Sequence, residues 1–168
     1  FRWNVSLNAA YNQNEVVNIR EGIEEIVVGS QFGYAGSTVT MKLIEGEAYG
    51  NIFGSSYQRF GADENSIFLN EDLPVVIGEN GFPLRNGSQL VLGNTTPKWI
   101  GGLKNDFTYK GFDFSFLIDF RTGLEQYSQY DNFFSAFGIA EYTLTRNETR
   151  VFNGVLADGS PNNQEVWL

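Results

Sequence analysis

Two long runs of alternating residues meet at a two-residue turn, Lys110-Gly111, and no other feature limits the chain's folding choices as strongly. Successive side chains of a strand point to opposite faces, so alternation gives each run one wet and one dry face. Glycine in the turn supplies the positive φ that a tight hairpin needs. Closing the turn so that Tyr109 opposes Phe112 fixes every other pair. Phe107 then faces Phe114, Asn105 faces Phe116, Leu103 faces Ile118 and Gly101 faces Phe120, all on one side. The other side pairs Thr108 with Asp113, Asp106 with Ser115, Lys104 with Leu117, Gly102 with Asp119 and Ile100 with Arg121. One side is aromatic and aliphatic. The other carries Lys104, Asp106, Asp113, Asp119 and Arg121 within cross-strand reach, as in a barrel lumen or on a solvated sheet.

The start of the chain repeats the pattern. Phe1, Trp3, Val5, Leu7, Ala9 and Tyr11 share one face, and Arg2, Asn4, Ser6, Asn8 and Asn12 the other. The spacing predicts strands over residues 1–13, 99–109 and 112–121. Their length suits the ~9–11 residues of a tilted membrane-crossing strand and exceeds the ~5–6 usual in soluble sheets. A second sheet laid over the aromatic face would instead give a soluble sandwich, and alternation alone leaves both open.

Composition narrows the chemistry. With no cysteine and no histidine, the chain lacks thiolate nucleophiles, disulfides, the commonest general base and the commonest zinc ligand. No spacing singles out a catalytic carboxylate pair, so an enzyme is not expected. Neither is a cofactor or a metal. A net charge of -9 repels phosphate backbones and argues against nucleic-acid binding. No window approaches the ~18 consecutive apolar residues of a membrane helix, so any crossing must use strands.

Residues 20–94 are punctuated by Gly29, Gly33, Gly36, Gly46, Gly50 and Gly54 and by the turn signals Asn80-Gly81 and Asn86-Gly87. They read as a large folded loop with its own hairpins, including short strands at 75–77 and 84–92. Residues 122–168 form a second long loop, in which Asp131 is the expected N-cap of a short helix reaching about Ala140. Both loops leave from the end opposite Lys110-Gly111, as long extracellular loops lie opposite short periplasmic turns. Gly46, Gly50 and Gly54 have the spacing of a membrane-helix dimer motif, but Glu45, Glu47, Asn51 and Ser55 rule out a buried helix. Asp63-Glu64-Asn65 and Glu71-Asp72 lack the ligand spacing of a calcium loop and read as solvated.

Three segments carry a family resemblance. Gly93-Asn94-Thr95-Thr96-Pro97-Lys98-Trp99-Ile100-Gly101-Gly102 is followed by Tyr109-Lys110-Gly111-Phe112 and by Asp119-Phe120-Arg121-Thr122-Gly123. Together they resemble the G-N-x-x-P-x-W-x-G-G run, Y-K-G-F turn and acidic-to-basic strand end of the SusC/RagA family of TonB-linked outer-membrane proteins. Upstream, Glu45-Gly46-Glu47-Ala48-Tyr49-Gly50-Asn51-Ile52-Phe53-Gly54 is similar to that family's G-x-P-x-G-x-x-Y-G segment, with Ala48 in place of proline and Phe53 in place of tyrosine. The resemblance covers about a third of the chain.

The resemblance implies an all-β antiparallel segment of a barrel of about 22 strands. It also implies an N-terminal plug, a SusD-like surface lipoprotein as partner, and uptake of glycans or peptides driven through TonB. On that basis the chain is expected to be an internal fragment from the C-terminal half of the barrel, with TonB reached through a missing N-terminal region. Trp99, Leu103, Phe107, Tyr109, Phe112, Phe114, Phe116, Ile118 and Phe120 are expected to face outer-membrane lipid. Lys104, Asp106, Asp113, Asp119 and Arg121 are expected to face the lumen. Substrate and lipoprotein contacts would come from residues 20–94 and 122–168, with no individual residue assigned. The competing expectation is a secreted, soluble all-β module that binds carbohydrate or protein.

Overall fold

A computed structural model describes residues 1–33 and 38–168; Gly36, one of the punctuating glycines, lies outside them. The strands are β1 (Arg2–Tyr11), β2 (Glu25–Gln31), β3 (Val39–Ile44), β4 (Asn51–Gly54), β5 (Leu90–Asn94), β6 (Trp99–Tyr109), β7 (Phe112–Thr122), β8 (Thr149–Val151) and β9 (Glu165–Trp167). Among the described residues, one α-helix, α1 (Gln129–Ala136), and a 3-10 turn at Glu141–Thr145 complete the elements. The described residues are all-β apart from these two short pieces, and no closed barrel forms among them. It divides into two compact units.

The first unit comprises residues 1–26, 43–50 and 93–126. Its sheet has the order β1-β6-β7, antiparallel throughout. Lys110 and Gly111 have φ of 48° and 85°, so both turn residues are left-handed, the geometry whose twist suits a two-residue hairpin. The resulting register is the one dictated by the turn, from Tyr109 opposite Phe112 to Ile100 opposite Arg121. On the other side of β6, Trp3 opposes Phe107, Leu7 opposes Leu103 and Tyr11 opposes Trp99. Asn12 N–H donates to Lys98 O (2.9 Å) and Lys98 N–H to Thr122 O (3.0 Å), carrying the ladder to the sheet's far end. Both long excursions, residues 12–98 and those after Thr122, therefore leave from the end opposite the tight turn.

The second unit comprises residues 27–42, 51–92 and 127–168. The buried apolar side chains Val39, Ile52, Phe53, Ile77, Leu90, Val91 and Val166 all belong to it. Its strands form a sheet of order β2-β3-β4-β5, with Thr40 opposite Phe53 and Met41 opposite Ile52. Gly54 allows close approach there, since a Cβ would lie 2.6 Å from Leu92 Cδ1. The segment expected to be a loop with hairpins thus contributes four strands. Residues 75–77 and 83–85 hold only isolated bridges, Arg59 with Val75, Ile77 with Pro83 and Tyr57 with Arg85. The helix starts earlier than expected. Ser128 is its N-cap, with φ -96° and ψ 101°, and Asp131 lies inside the first turn, where its negative charge favours the helix N-terminus. Gly46 (φ 83°) and Gly50 (φ 91°) occupy left-handed turn positions and no helix.

Candidate membrane-facing surface

Alternation along β1, β6 and β7 brings the odd residues of the first two strands and the even residues of the third onto one face. Side by side across the sheet lie Trp3, Phe107 and Phe114, then Leu7, Leu103 and Ile118, then Tyr11, Trp99 and Thr122. At the turn end, Phe1, Trp3, Phe107, Phe114 and Phe116 are linked by ring centroids 5.8 to 6.2 Å apart. At the far end, Tyr11 and Trp99 meet at 4.9 Å. Leu7, Leu103 and Ile118 lie between these aromatic groups. Eleven residues of β6, at ~3.3 Å each and tilted ~45°, rise roughly 25 Å, the height of the apolar band on an outer-membrane barrel. Phe112 is 81% exposed, Leu7 68%, Phe114 63% and Ile118 51%, so the described residues of this unit leave the face uncovered.

Two small features shape the surface. Asn105 is its one interior polar side chain, and it is only 6% exposed. The Trp3 indole N–H donates to Asn105 Oδ1 (3.1 Å), while the Trp3 ring stacks on Phe107 at 5.8 Å and 6°. Gly101 lies beneath the Phe120 ring. A Cβ there would strike Phe120 Cζ and come within 2.7 Å of the backbone oxygen of Asn8.

The opposite face gathers Lys104, Asp106, Asp113, Asp119 and Arg121. Neutralisation among them is partial. Lys104 Nζ lies 3.0 Å from Asp106 Oδ1 along the same strand, and Thr108 Oγ1 donates to Asp113 Oδ1 (2.6 Å). Asp119 and Arg121 make no ion pair among the described residues.

Trp3, Val5, Leu7 and Tyr11 of β1 join the aromatic face beside the expected β6 and β7 residues. Alternation marks this face of β1, but the hairpin turn fixes only the pairing of β6 with β7. Less visible was what the resemblance-bearing segments do. Asn94 Nδ2 donates to Tyr49 O (3.0 Å), Thr95 N–H to Gly50 O (2.9 Å) and Thr96 Oγ1 to Tyr49 O (3.2 Å). Glu125 completes the knot: its Oε2 accepts Asn94 N–H (2.8 Å), and its own N–H donates to Asn94 O (2.8 Å). The two motifs therefore clasp each other at the loop end of the sheet. No group of three or more acidic residues is placed to hold a metal among the described residues. Asp63 instead caps its own turn by accepting Asn65 N–H (2.9 Å).

An exposed sheet face with an aliphatic band between aromatic ends, a two-residue turn at one end and long excursions at the other is consistent with a strand group of an outer-membrane barrel. The chain is 27% identical to TonB-dependent receptor P3 of Formosa agariphila over 74% of its length, and 26% identical to TonB-dependent receptor P39 of the same organism over 79%. It spans 13% and 16% of the lengths of those two relatives. No protein-family model matches it. The similarities support the TonB-dependent receptor family.

Proposed function

We propose that this chain is one stretch of the wall of a SusC/RagA-type importer, taking up glycans or peptides with energy delivered through TonB. The observation that carries the reading is the uncovered face with its two aromatic ends. In the intact barrel Trp99, Leu103, Phe107, Tyr109, Phe112, Phe114, Phe116, Ile118 and Phe120 meet lipid or the lipid interface, joined by Trp3, Val5, Leu7 and Tyr11 of β1. Lys104, Asp106, Asp113, Asp119 and Arg121 meet the lumen. The Lys110-Gly111 turn is periplasmic. Residues 12–98 and 123–168 form external excursions that supply contacts to substrate and to a SusD-like lipoprotein.

The test is made on cells that express the whole protein. The expected result is recovery from the outer-membrane fraction, co-purification of a surface lipoprotein, and accumulation of labelled oligosaccharide or peptide that stops when TonB is removed. Recovery as a detergent-free, secreted monomer would instead favour a soluble binding module.

A further inference from the structure

Within the second unit, residues between 58 and 90, together with Ala157, line a cleft of about 480 Å³. That volume falls in the ~300–1,000 Å³ range of small-ligand sites. Its walls are pinned by backbone hydrogen bonds. Gln58 N–H donates to Leu84 O (2.8 Å), Phe60 N–H to Pro74 O (2.9 Å) and Val76 N–H to Gln58 O (3.0 Å) on one side. Val91 N–H donates to Ile67 O (2.7 Å) on the other. A site held in this way needs little ordering when a ligand enters.

Two phenyl rings line the cleft, Phe60 at 39% and Phe68 at 49% exposure. Phe60 rests on Gly159, whose φ is +84° and whose Cβ would come within 2.9 Å of the ring. Phe68 is fixed by Ser66, whose Oγ accepts Phe68 N–H (3.1 Å) and donates to Phe68 O (3.3 Å). The polar lining is also set in place. Asn70 Oδ1 accepts Asp72 N–H (3.2 Å) and Asn86 Oδ1 accepts Ser88 N–H (3.0 Å), which leaves each Nδ2 as a donor. Asp63 spends Oδ1 on Asn65 N–H (2.9 Å) and keeps Oδ2 as an acceptor. Donors and acceptors beside half-exposed rings match a molecule with hydroxyls at its edges and C–H groups on its faces.

We propose that this cleft binds a neutral oligosaccharide, its ring faces on Phe60 and Phe68 and its hydroxyls on Asn70, Asn86 and Asp63. The proposal rests on the importer reading and narrows its substrate class. An anionic sugar is disfavoured because Asp63 and Glu64 line the cleft with two negative charges against the single positive charge of Arg59, whose Nη1 is already turned to Leu73 O (2.9 Å) and Glu71 O (3.4 Å). A peptide added as a strand would need a free edge, whereas the N–H groups of Gln58, Phe60, Val76 and Asn86 are already bonded within the unit.

The test uses the whole protein in detergent, screened against arrays of neutral oligosaccharides, of uronate-bearing and sulfated oligosaccharides, and of short peptides. Neutral oligosaccharides should be retained. Phe68→Ala should weaken the strongest of them at least about tenfold, the factor for losing ~1.4 kcal/mol. Asn86→Asp keeps the Oδ1 turn acceptor but removes the donor, so it should weaken binding without disturbing the fold. Leu144→Ala, on an exposed residue outside the cleft, should leave binding unchanged. Retention of only charged sugars or only peptides, retention of nothing, or binding by both cleft variants equal to that of the parent overturns the proposal. TonB-dependent uptake measured in parallel separates the two failures. Uptake that the cleft variants leave intact removes the cleft and keeps the importer, and array binding without such uptake does the reverse.

Discussion

The indole N–H of Trp3 donates to the side-chain carbonyl of Asn105 across 3.1 Å, joining residues 102 positions apart on neighbouring strands. If the proposed lipid-facing role holds, an amide on this surface would be a polar group without water, at a cost of ~1–3 kcal/mol. The indole satisfies the carbonyl, and the stacked rings of Trp3 and Phe107 cover what remains.

A double-mutant cycle in the lipid-embedded barrel checks this pairing. Trp3→Phe removes the donor and Asn105→Leu removes the acceptor. The coupling between them should be about 0.6 to 1.7 kcal/mol, the span measured for hydrogen bonds within membranes. Urea unfolding from vesicles reads it, and additive single effects would deny the bond any role.

Gly101→Ala should destabilise the barrel by ~1–3 kcal/mol, the usual cost of overpacking. The new methyl meets both the Phe120 ring and the backbone oxygen of Asn8. Adding Phe120→Ala should recover only part of the loss, because the backbone cannot withdraw as a ring can. Denaturation midpoints of the two variants against the parent test this.

The clasp at the loop end gives a local prediction. Asn94→Ala deletes the donor to Tyr49 O and the acceptor of Thr96 N–H (2.7 Å). Hydrogen exchange should quicken at the backbone of residues 46–50 and 94–98 while the centre of β6 keeps its protection. Gly50→Ala should act in the same direction and more strongly, because φ is +91° and a Cβ would lie 2.6 Å from Thr96 Oγ1.

Ser160 donates through both Oγ (2.6 Å) and N–H (2.9 Å) to Asp158 Oδ1. These bonds, the hydroxyl first, hold the Asp158 carboxyl below its ordinary range. A folded-state value below the unfolded one adds stability that is present above the unfolded pKa and lost as pH falls through the folded pKa. Ser160→Ala should move the Asp158 titration up toward the ordinary carboxylate value, as followed by carboxyl NMR chemical shift.

The sheet of β1, β6 and β7 was legible because one period governs each strand and a two-residue turn leaves a single register. Once Lys110 and Gly111 take positive φ, every partner from Tyr109 to Ile100 follows. The second sheet was not legible. Glu25–Gln31 carries the consecutive apolar residues Ile26-Val27-Val28, so alternation marks no face there, and Val39–Ile44 alternates only from Val39 to Leu43, too short a run to fix a partner strand. The clasp was hidden for another reason. Asn94, Tyr49 and Glu125 are each unremarkable alone, and only hydrogen bonds 31 to 47 residues long in sequence give them a common role. The helix start was misplaced because Asp131 suits both an N-cap and a first turn, and the extended backbone at Ser128 decides between them.

A nitroxide scan along β7 tests the central claim most directly, and this stretch has no cysteine of its own to compete for the label. Each position from Phe112 to Thr122 is replaced by cysteine in the whole protein, labelled, and placed in lipid. Collision rates with oxygen and with a water-soluble nickel complex are then compared. The account predicts period-two alternation: positions 112, 114, 116, 118 and 120 favour oxygen, and 113, 115, 117, 119 and 121 favour nickel. Low accessibility to both reagents at the even positions would mean that a second protein layer covers the aromatic face, and would contradict it.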